Sequence, residues 1–153
     1  MPGSLLIPSD FRLRSCWRSL RAFRPRSEDT DVKSVLIVDN DEHMLGLVEQ
    51  WLSDAGYEVV ACSRFEAARE YLAAHPFDAL VTNLRLGAYN GLQLALRASW
   101  MGAGTAVIVM SAYDDVVSRR DAAACGARFM LTPFDRESLL TELSEARSIS
   151  AAA

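Results

Sequence analysis

The sequence predicts a doubly wound α/β fold, in which helices cover both faces of a five-stranded parallel sheet and make a three-layer (βα)5 sandwich. From residue 33 onward, a short apolar run and a segment of helical periodicity alternate five times. The apolar runs are continuous and rich in Val, Ile and Leu, which is typical of parallel strands buried on both faces. Repeated strand–helix–strand units require right-handed crossovers, which place the helices on the two faces of one sheet.

Each strand is predicted from a short apolar run, and four of the five runs contain β-branched residues. The runs cover residues 35–38, 57–61, 78–82, 106–110 and 128–131. Polar residues stand where four of these runs end, at Asp39, Asn83, Ser111 and Thr132. In an open parallel sheet the functional crevice lies at the carboxyl ends of the strands, where the strand order reverses. We therefore expect these four side chains to line one crevice.

The helices are predicted from apolar residues three and four positions apart, together with terminal signals. Their patterns cover residues 44–52, 63–72, 92–96, 114–125 and 135–143. Gly56 is placed to end the first helix, Ser63 and Glu66 form a capping-box pattern at the start of the second, and Pro76 follows its end. A turn at residues 87–91 leads into the third helix. Asp135 is placed to cap the last helix.

Composition excludes several classes of protein. Half of the 153 residues are apolar and 24% are charged, which is ordinary for a globular chain and excludes wholesale disorder. No apolar stretch approaches the roughly 20 residues of a membrane-spanning helix. The three cysteines, Cys16, Cys62 and Cys125, are an odd number without CxxC spacing. They favour reduced thiols and a cytoplasmic location over a disulfide framework or a zinc site.

Charge divides the chain into an arginine-rich leader at residues 1–30, a domain at residues 31–148 and a short tail at residues 149–153. The leader holds six arginines against three acids, whereas the rest holds 10 basic and 17 acidic residues. The acidic domain is disfavoured as a direct DNA-binding surface. Residues 11–24 of the leader place apolar side chains on one helical stripe between arginines, which is compatible with a disordered segment or with an amphipathic helix that contacts a membrane, nucleic acid or an acidic partner.

The turns after the strands resemble those of the receiver domains of bacterial two-component response regulators. The resemblance covers roughly residues 33–147. Its motifs are Val-Leu-Ile-Val-Asp39, Asp78-Ala-Leu-Val-Thr-Asn83, Asn90-Gly91, Met110-Ser111-Ala112 and Thr132-Pro133-Phe134. It implies a flavodoxin-like fold with strand order 2-1-3-4-5. It also implies five site groups: a pair of acids that help to hold Mg²⁺, an aspartate that accepts a phosphoryl group, a Ser or Thr, and a lysine.

Carried over to this sequence, three of the five positions depart from the family's pattern. Asn83 stands at the phosphoacceptor position and Asn40 at the second acid, beside Asp39 and Asp41. Thr132 stands at the lysine position, and Lys33 is the only lysine in the chain. Asp39 and Ser111 keep the residue types of the family's pattern. Because a carboxamide has no anionic oxygen with which to attack phosphorus, the sequence predicts a degenerate receiver with weak or absent Mg²⁺ binding and no other cofactor.

The leading hypothesis is a stand-alone receiver-like protein that works through phosphorylation-independent protein–protein contact and is not an enzyme. Phe129 matches the family's switch aromatic, and we expect it to pack at the edge of the sheet without a switching role. The resemblance implies a binding face on the fourth helix, fifth strand and fifth helix, with a histidine kinase, another regulator or a second copy as partner. On that face we expect Arg119, Arg120, Arg128, Arg136 and Glu137.

Two alternatives stay open from the sequence. One is an active phosphorelay receiver that uses another acid, Asp39 or Asp41, as the acceptor. At the start of a helix, however, an acid such as Asp41 is favoured to cap backbone amides. The other is a protein that targets a membrane or nucleic acid through its basic leader.

Overall fold

The computed structural model describes residues 33–101 and 104–152, with side chains up to residue 148. The leader and its predicted helical stripe lie outside the described residues. Seven strands and five helices make up the described chain. In chain order they are β1 (Ser34–Val38), α1 (Glu42–Asp54), β2 (Glu58–Cys62), α2 (Phe65–Ala74), β3 (Ala79–Asn83), β4 (Arg85–Leu86), β5 (Tyr89–Asn90), α3 (Leu92–Trp100), β6 (Ala106–Ser111), α4 (Val116–Ala124), β7 (Ala127–Leu131) and α5 (Arg136–Ala152).

Five of the strands form one parallel sheet in the order β2-β1-β3-β6-β7, and β4 and β5 form a separate antiparallel pair. With that small pair set aside, the order is the predicted 2-1-3-4-5, so the fold prediction is confirmed. The strand order reverses between β1 and β3, the two strands that carry Asp39 and Asn83 at their carboxyl ends. The crevice expected for such a sheet therefore lies between these two residues.

The sheet has a core on each face. Successive residues of a strand point to opposite faces, so Val35 and Ile37 of β1 join one core while Leu36 and Val38 join the other. Buried residues of α1 and α5 complete the first core, and those of α2, α3 and α4 complete the second. All five residues of β1 are buried, which explains the unbroken apolar run from Val35 to Val38.

Most helix signals are where the sequence places them. Asp41 caps α1 by accepting two backbone N–H groups, and Asp135 accepts from the N–H of Ser138 at the start of α5. Asp115, which the sequence analysis did not single out, caps α4 by accepting two backbone N–H groups as well. Gly56 adopts a φ of 92° after α1, a conformation that glycine allows at little cost. The last helix continues to Ala152, through residues that the sequence analysis assigned to a tail.

Two local expectations are corrected by the structure. The capping box at Ser63 and Glu66 is wrong, because α2 begins one residue later, at Phe65, and its N-cap Arg64 makes no side-chain cap. The segment predicted as a simple turn at residues 87–91 forms part of the β4–β5 hairpin. Only two residues stand in each strand of this hairpin, too few to show an alternating pattern in the sequence.

Candidate functional site

The crevice is built around a buried carboxylate at the end of β1. The side chain of Asp39 is 3% exposed, and its Oδ1 accepts from the backbone N–H of Asp41 at 2.9 Å and from the amide Nδ2 of Asn83 at 3.2 Å. The structure thus brings the predicted residues 39 and 83 into direct contact. Burial raises the pKa of Asp39 above its ordinary value, although both hydrogen bonds act in the opposite direction.

Asn83 is held on both sides of its amide. Its Nδ2 donates to Asp39, while its Oδ1 accepts from the backbone N–H of Arg85 at 3.4 Å. An aspartate at position 83 would have no hydrogen to donate and would set a second negative charge against Asp39. The amide of Asn83 therefore stabilises the ionised Asp39, because its N–H group is a positively polarised partner for the carboxylate.

The residues of the crevice do not fit a magnesium ion. Asn40 is exposed, and the carboxylate of Asp41 accepts from the N–H groups of His43 and Met44, at 3.0 and 3.2 Å, as the cap of α1. Asp39 is then the one carboxylate at the bottom of the crevice, whereas Mg²⁺ favours six hard oxygen ligands in near-octahedral geometry. Across the part of the chain that the structure describes, no three His, Cys, Asp or Glu side chains meet as a metal-binding group.

Ser111 and Thr132 line the other side of the crevice. Ser111 is buried, and its hydroxyl accepts from the backbone N–H of Tyr113 and donates to the carbonyl of the same residue, both at 3.1 Å. The half-buried Thr132 donates its backbone N–H to the Ser111 carbonyl at 2.8 Å. The Ser111 hydroxyl is thus used to shape its own loop.

The mouth of the crevice contains a contact that the sequence analysis missed. The guanidinium of Arg85 lies over the ring of Tyr113, 4.8 Å from its centroid, and so connects the loop after β3 to the loop after β6. Tyr89 of the same hairpin stacks on Phe65 of α2, with 4.4 Å between ring centroids. The sequence signal that could have indicated the contact between Arg85 and Tyr113 is their position, since each residue stands two residues after the end of a strand.

Gly91 explains how closely the hairpin returns to the crevice. A Cβ atom at this position would lie 2.1 Å from the backbone oxygen of Asn83 and 2.9 Å from the hydroxyl of Thr82. Only a residue without a side chain allows the start of α3 to approach β3 so closely.

The predicted switch aromatic, Phe129, is half-buried and packs against the core shared by α2, α3 and α4. The guanidinium of Arg119 lies 4.8 Å from its ring centroid and also pairs with Asp114. That pairing lowers the pKa of the Asp114 carboxyl. Phe129 is therefore held between the core and a fixed cation.

The other residues of the predicted binding face differ in how they are engaged. Arg128 donates to Glu142 at 2.6 Å and to Glu145 at 2.8 Å, which ties β7 to α5. Arg120, Arg136 and Glu137 are exposed. Large apolar side chains are also exposed around α4, with Val116 at 80% and Val117 at 54%.

Comparisons with known proteins agree with this architecture. The model of the response regulator receiver domain matches residues 35–144. A curated relative, the alginate biosynthesis transcriptional regulatory protein AlgB of Pseudomonas aeruginosa, is 33% identical over 97 residues, which are 61% of this chain and 21% of that protein. The response regulator receiver protein CpdR of Brucella abortus is 25% identical over 115 residues, which are 74% of this chain and 96% of that protein.

Among solved structures, a CheY-like response regulator receiver domain protein from Methanospirillum hungatei superposes with a TM-score of 0.74 at 22% identity, covering 80% of this chain and 98% of that one. Identity at this level supports the fold alone. The chain spans between 21% and 48% of the length of curated transcriptional regulators that it matches, such as AlgB. No helix within the described ranges is long and apolar enough to cross a membrane.

Proposed function

The chain belongs to the response regulator receiver family, and from this membership we propose that it acts in two-component signalling as a phosphorylation-independent receiver-like protein. One observation carries the proposal: the residue at the phosphoacceptor position, Asn83, is a carboxamide that donates a hydrogen bond to Asp39. A carboxamide cannot form an acyl phosphate, because its nitrogen lone pair is delocalised and its oxygen carries no full charge.

The electrostatics of the crevice support the same proposal. An intact site of the family combines three carboxylates with one lysine, and a divalent cation balances the remaining charge. Here Asn40, Asn83 and Thr132 replace two of the carboxylates and the lysine, while the remaining carboxylate is satisfied by an amide and a backbone N–H. A lysine in a partly buried cleft without acidic partners would destabilise the fold, because its charge would be desolvated and unpaired. The absence of the lysine is therefore consistent with the absence of the two acids.

Signalling then depends on shape and contact, through the face formed by α4, β7 and α5. Three of its arginines are already paired within the domain: Arg119 with Asp114, Arg120 with Asp121 at 4.0 Å, and Arg128 with two glutamates of α5. The exposed Val116 and Val117 offer apolar area that the described domain leaves uncovered. An aliphatic centre with a charged rim is the usual composition of a protein interface. The partner is a histidine kinase, another regulator or a second copy of the chain.

Incubation with a small phosphodonor and Mg²⁺, followed by mass spectrometry of the intact protein, tests the absence of phosphorylation. We expect no covalent phosphoryl group on the wild type. A stoichiometric gain of one phosphoryl mass would overturn the proposal, and loss of that gain in Asp39→Ala or Asp41→Ala would identify the other acid as the acceptor.

A matched set of repair variants shows that the assay can detect a functional site. Asn83→Asp alone should restore little uptake, because the metal ligand and the lysine remain absent. The combination of Asn40→Asp, Asn83→Asp and Thr132→Lys should take up phosphate measurably, since the surrounding strands already have the family's arrangement.

Affinity capture from the source cell tests the contact face. The same partner should be recovered with and without the phosphodonor, and Val116→Glu should lose it. Trp100→Glu is the control, because Trp100 is 75% exposed on a different helix. Partner capture that appears only after phosphodonor treatment would contradict the phosphorylation-independent mode.

A further inference from the structure

The segment that leads from β6 into α4 has no apolar anchor in either core. Residues 112–117, which form this loop and the first residues of α4, are all exposed, and none of them belongs to a core cluster. Val116 and Val117, the apolar centre of the proposed contact face, begin the helix directly after the loop. Because burial does not fix this segment, its position depends on the polar and aromatic contacts that it makes.

One contact ties the loop to the crevice. The guanidinium of Arg85 lies 4.8 Å from the centroid of the Tyr113 ring. Arg85 also donates its backbone N–H to the Oδ1 of Asn83 at 3.4 Å, and Asn83 in turn donates to Asp39. Arg85 therefore joins the residue at the end of β3 to the loop that follows β6.

The backbone of Tyr113 is held at the end of β6. Its N–H donates to the hydroxyl of Ser111, and its carbonyl accepts from the same hydroxyl, both at 3.1 Å. Ser111 is buried, whereas Tyr113 is 61% exposed. The ring of Tyr113 thus projects from an anchored backbone towards Arg85, which covers one of its faces.

A second contact continues from the loop to the edge of the sheet. Asp114 directly follows Tyr113, and its carboxylate accepts from the Nε of Arg119 on α4. The guanidinium of Arg119 also lies 4.8 Å from the centroid of the Phe129 ring, on the edge strand β7. A single arginine therefore connects the loop, the first turn of α4 and β7.

We propose that Arg85, Tyr113, Asp114 and Arg119 act together as a latch that holds the loop, the start of α4 and Phe129 in one arrangement. The two contacts meet at adjacent residues of the loop, so that release of one displaces the other. The latch rests on the proposed function, because it explains how a receiver without a phosphoryl group keeps its contact face in a defined shape.

The contacts of the latch are weak individually, which determines the measurement that can detect them. A cation–π contact between exposed side chains changes a local equilibrium by about two- to fivefold. Such a change alters the local opening that exposes a backbone amide to hydrogen exchange. The N–H of Arg119 is a suitable reporter, because it donates to the Asp115 carbonyl at 3.0 Å in the first turn of α4. The N–H of Leu45, which donates to the Asp41 carbonyl at 2.9 Å in the first turn of α1, is the matched reference.

Amide hydrogen exchange of the isotope-labelled full-length protein, followed by NMR without partner or phosphodonor, tests the latch. Arg85→Ala and Tyr113→Leu should each raise the exchange rate of the Arg119 N–H about two- to fivefold and leave that of Leu45 unchanged. Tyr113→Leu keeps the net charge, so its effect does not come from a changed attraction of hydroxide ions. The double variant should exchange no faster than the single variants, because both substitutions remove the same contact.

Control variants separate the latch from general effects on the surface. Tyr113→Phe retains the aromatic ring and should keep the wild-type exchange rate. Arg69→Ala removes an exposed arginine from α2 and should also leave the rate unchanged. The ring-proton signals of Phe129 report the far end of the latch: they should shift in Arg119→Ala, and in the same direction but by less in Arg85→Ala. Dispersed amide spectra verify that every variant is folded.

Three results would overturn the latch. One is an Arg119 exchange rate that Arg85→Ala leaves unchanged, and another is an effect of the double variant equal to the product of the single effects. The third is an equal effect of Arg69→Ala, because charge alone would then be the cause. Failure of the proposed function is seen separately, as a gain of one phosphoryl mass after phosphodonor treatment, because the exchange measurement uses no phosphodonor.

Discussion

The contact between Asn83 and Asp39 can be tested through stability, by changing Asn83 to Asp. The substitution replaces an amide donor 3.2 Å from a buried carboxylate with a second carboxylate. Two unit charges at about 4 Å interact by about 4 kcal/mol at an effective dielectric constant of about 20. The lost hydrogen bond to a charged group contributes about 1.5–3 kcal/mol more. Because one of the two carboxyl groups can take up a proton, we expect a net loss of about 3 kcal/mol at pH 8.

The sign of the pH dependence follows from linkage. Mutual repulsion and burial raise the pKa of both carboxyl groups in the folded variant above their values in the unfolded chain, so the folded state binds more protons. The stability of Asn83→Asp is thus greatest at low pH and falls as the pH rises through the folded-state pKa values. Urea unfolding at pH 4.5 and pH 8, without divalent cations, measures both the loss and its pH dependence.

A control variant separates the charge from the lost hydrogen bond. Asn83→Ala removes the amide without adding a carboxylate, so it should cost about 1–2 kcal/mol and show a weaker pH dependence than Asn83→Asp. The reasoning would be refuted if Asn83→Asp matched the wild type in stability at pH 8, or if its stability rose between pH 4.5 and pH 8.

Three further predictions concern the crevice and its supports. Burial raises the pKa of Asp39, so the stability from this group is present at low pH and is lost as pH rises through the folded-state pKa. Asp39→Asn should therefore gain stability relative to the wild type between pH 3.5 and pH 7 in urea unfolding, and an equal difference at both pH values would contradict this reasoning. Gly91→Ala sets a Cβ 2.1 Å from a backbone oxygen and should destabilise the fold by about 2 kcal/mol or more. Gly46→Ala, with nothing within 4 Å in an exposed stretch of helix, should instead stabilise the fold by up to about 1 kcal/mol. Chemical unfolding that ranks the two variants in the other order would be inconsistent with the close approach of Gly91 to β3. Arg128→Ala should lower the free energy of unfolding by about 1 kcal/mol, because its half-exposed guanidinium joins β7 to two glutamates of α5. This difference from the wild type should shrink in 1 M salt. A difference that salt leaves unchanged would mean that packing, and not charge, dominates.

Much of the fold could be predicted because its signals are local. The five strands are short apolar runs, and each capping aspartate confirmed by the structure, such as Asp135, acts within three residues of its own position. The β4–β5 hairpin could not be predicted in this way, because its strands are two residues long. Its position depends on contacts between distant residues, the stacking of Tyr89 on Phe65 and the contact of Arg85 with Tyr113.

The candidate site shows the same division between chemistry and geometry. Which groups stand at the strand ends can be read from the sequence, and an amide at residue 83 excludes an acyl phosphate there wherever the side chain points. Their contacts with one another depend on the fold: Asn83 donates to Asp39, Asp41 caps α1, and Ser111 bonds to its own loop. The physical reason is that the identity of a functional group is covalent, whereas hydrogen-bond partners and burial depend on chain segments that only folding brings together.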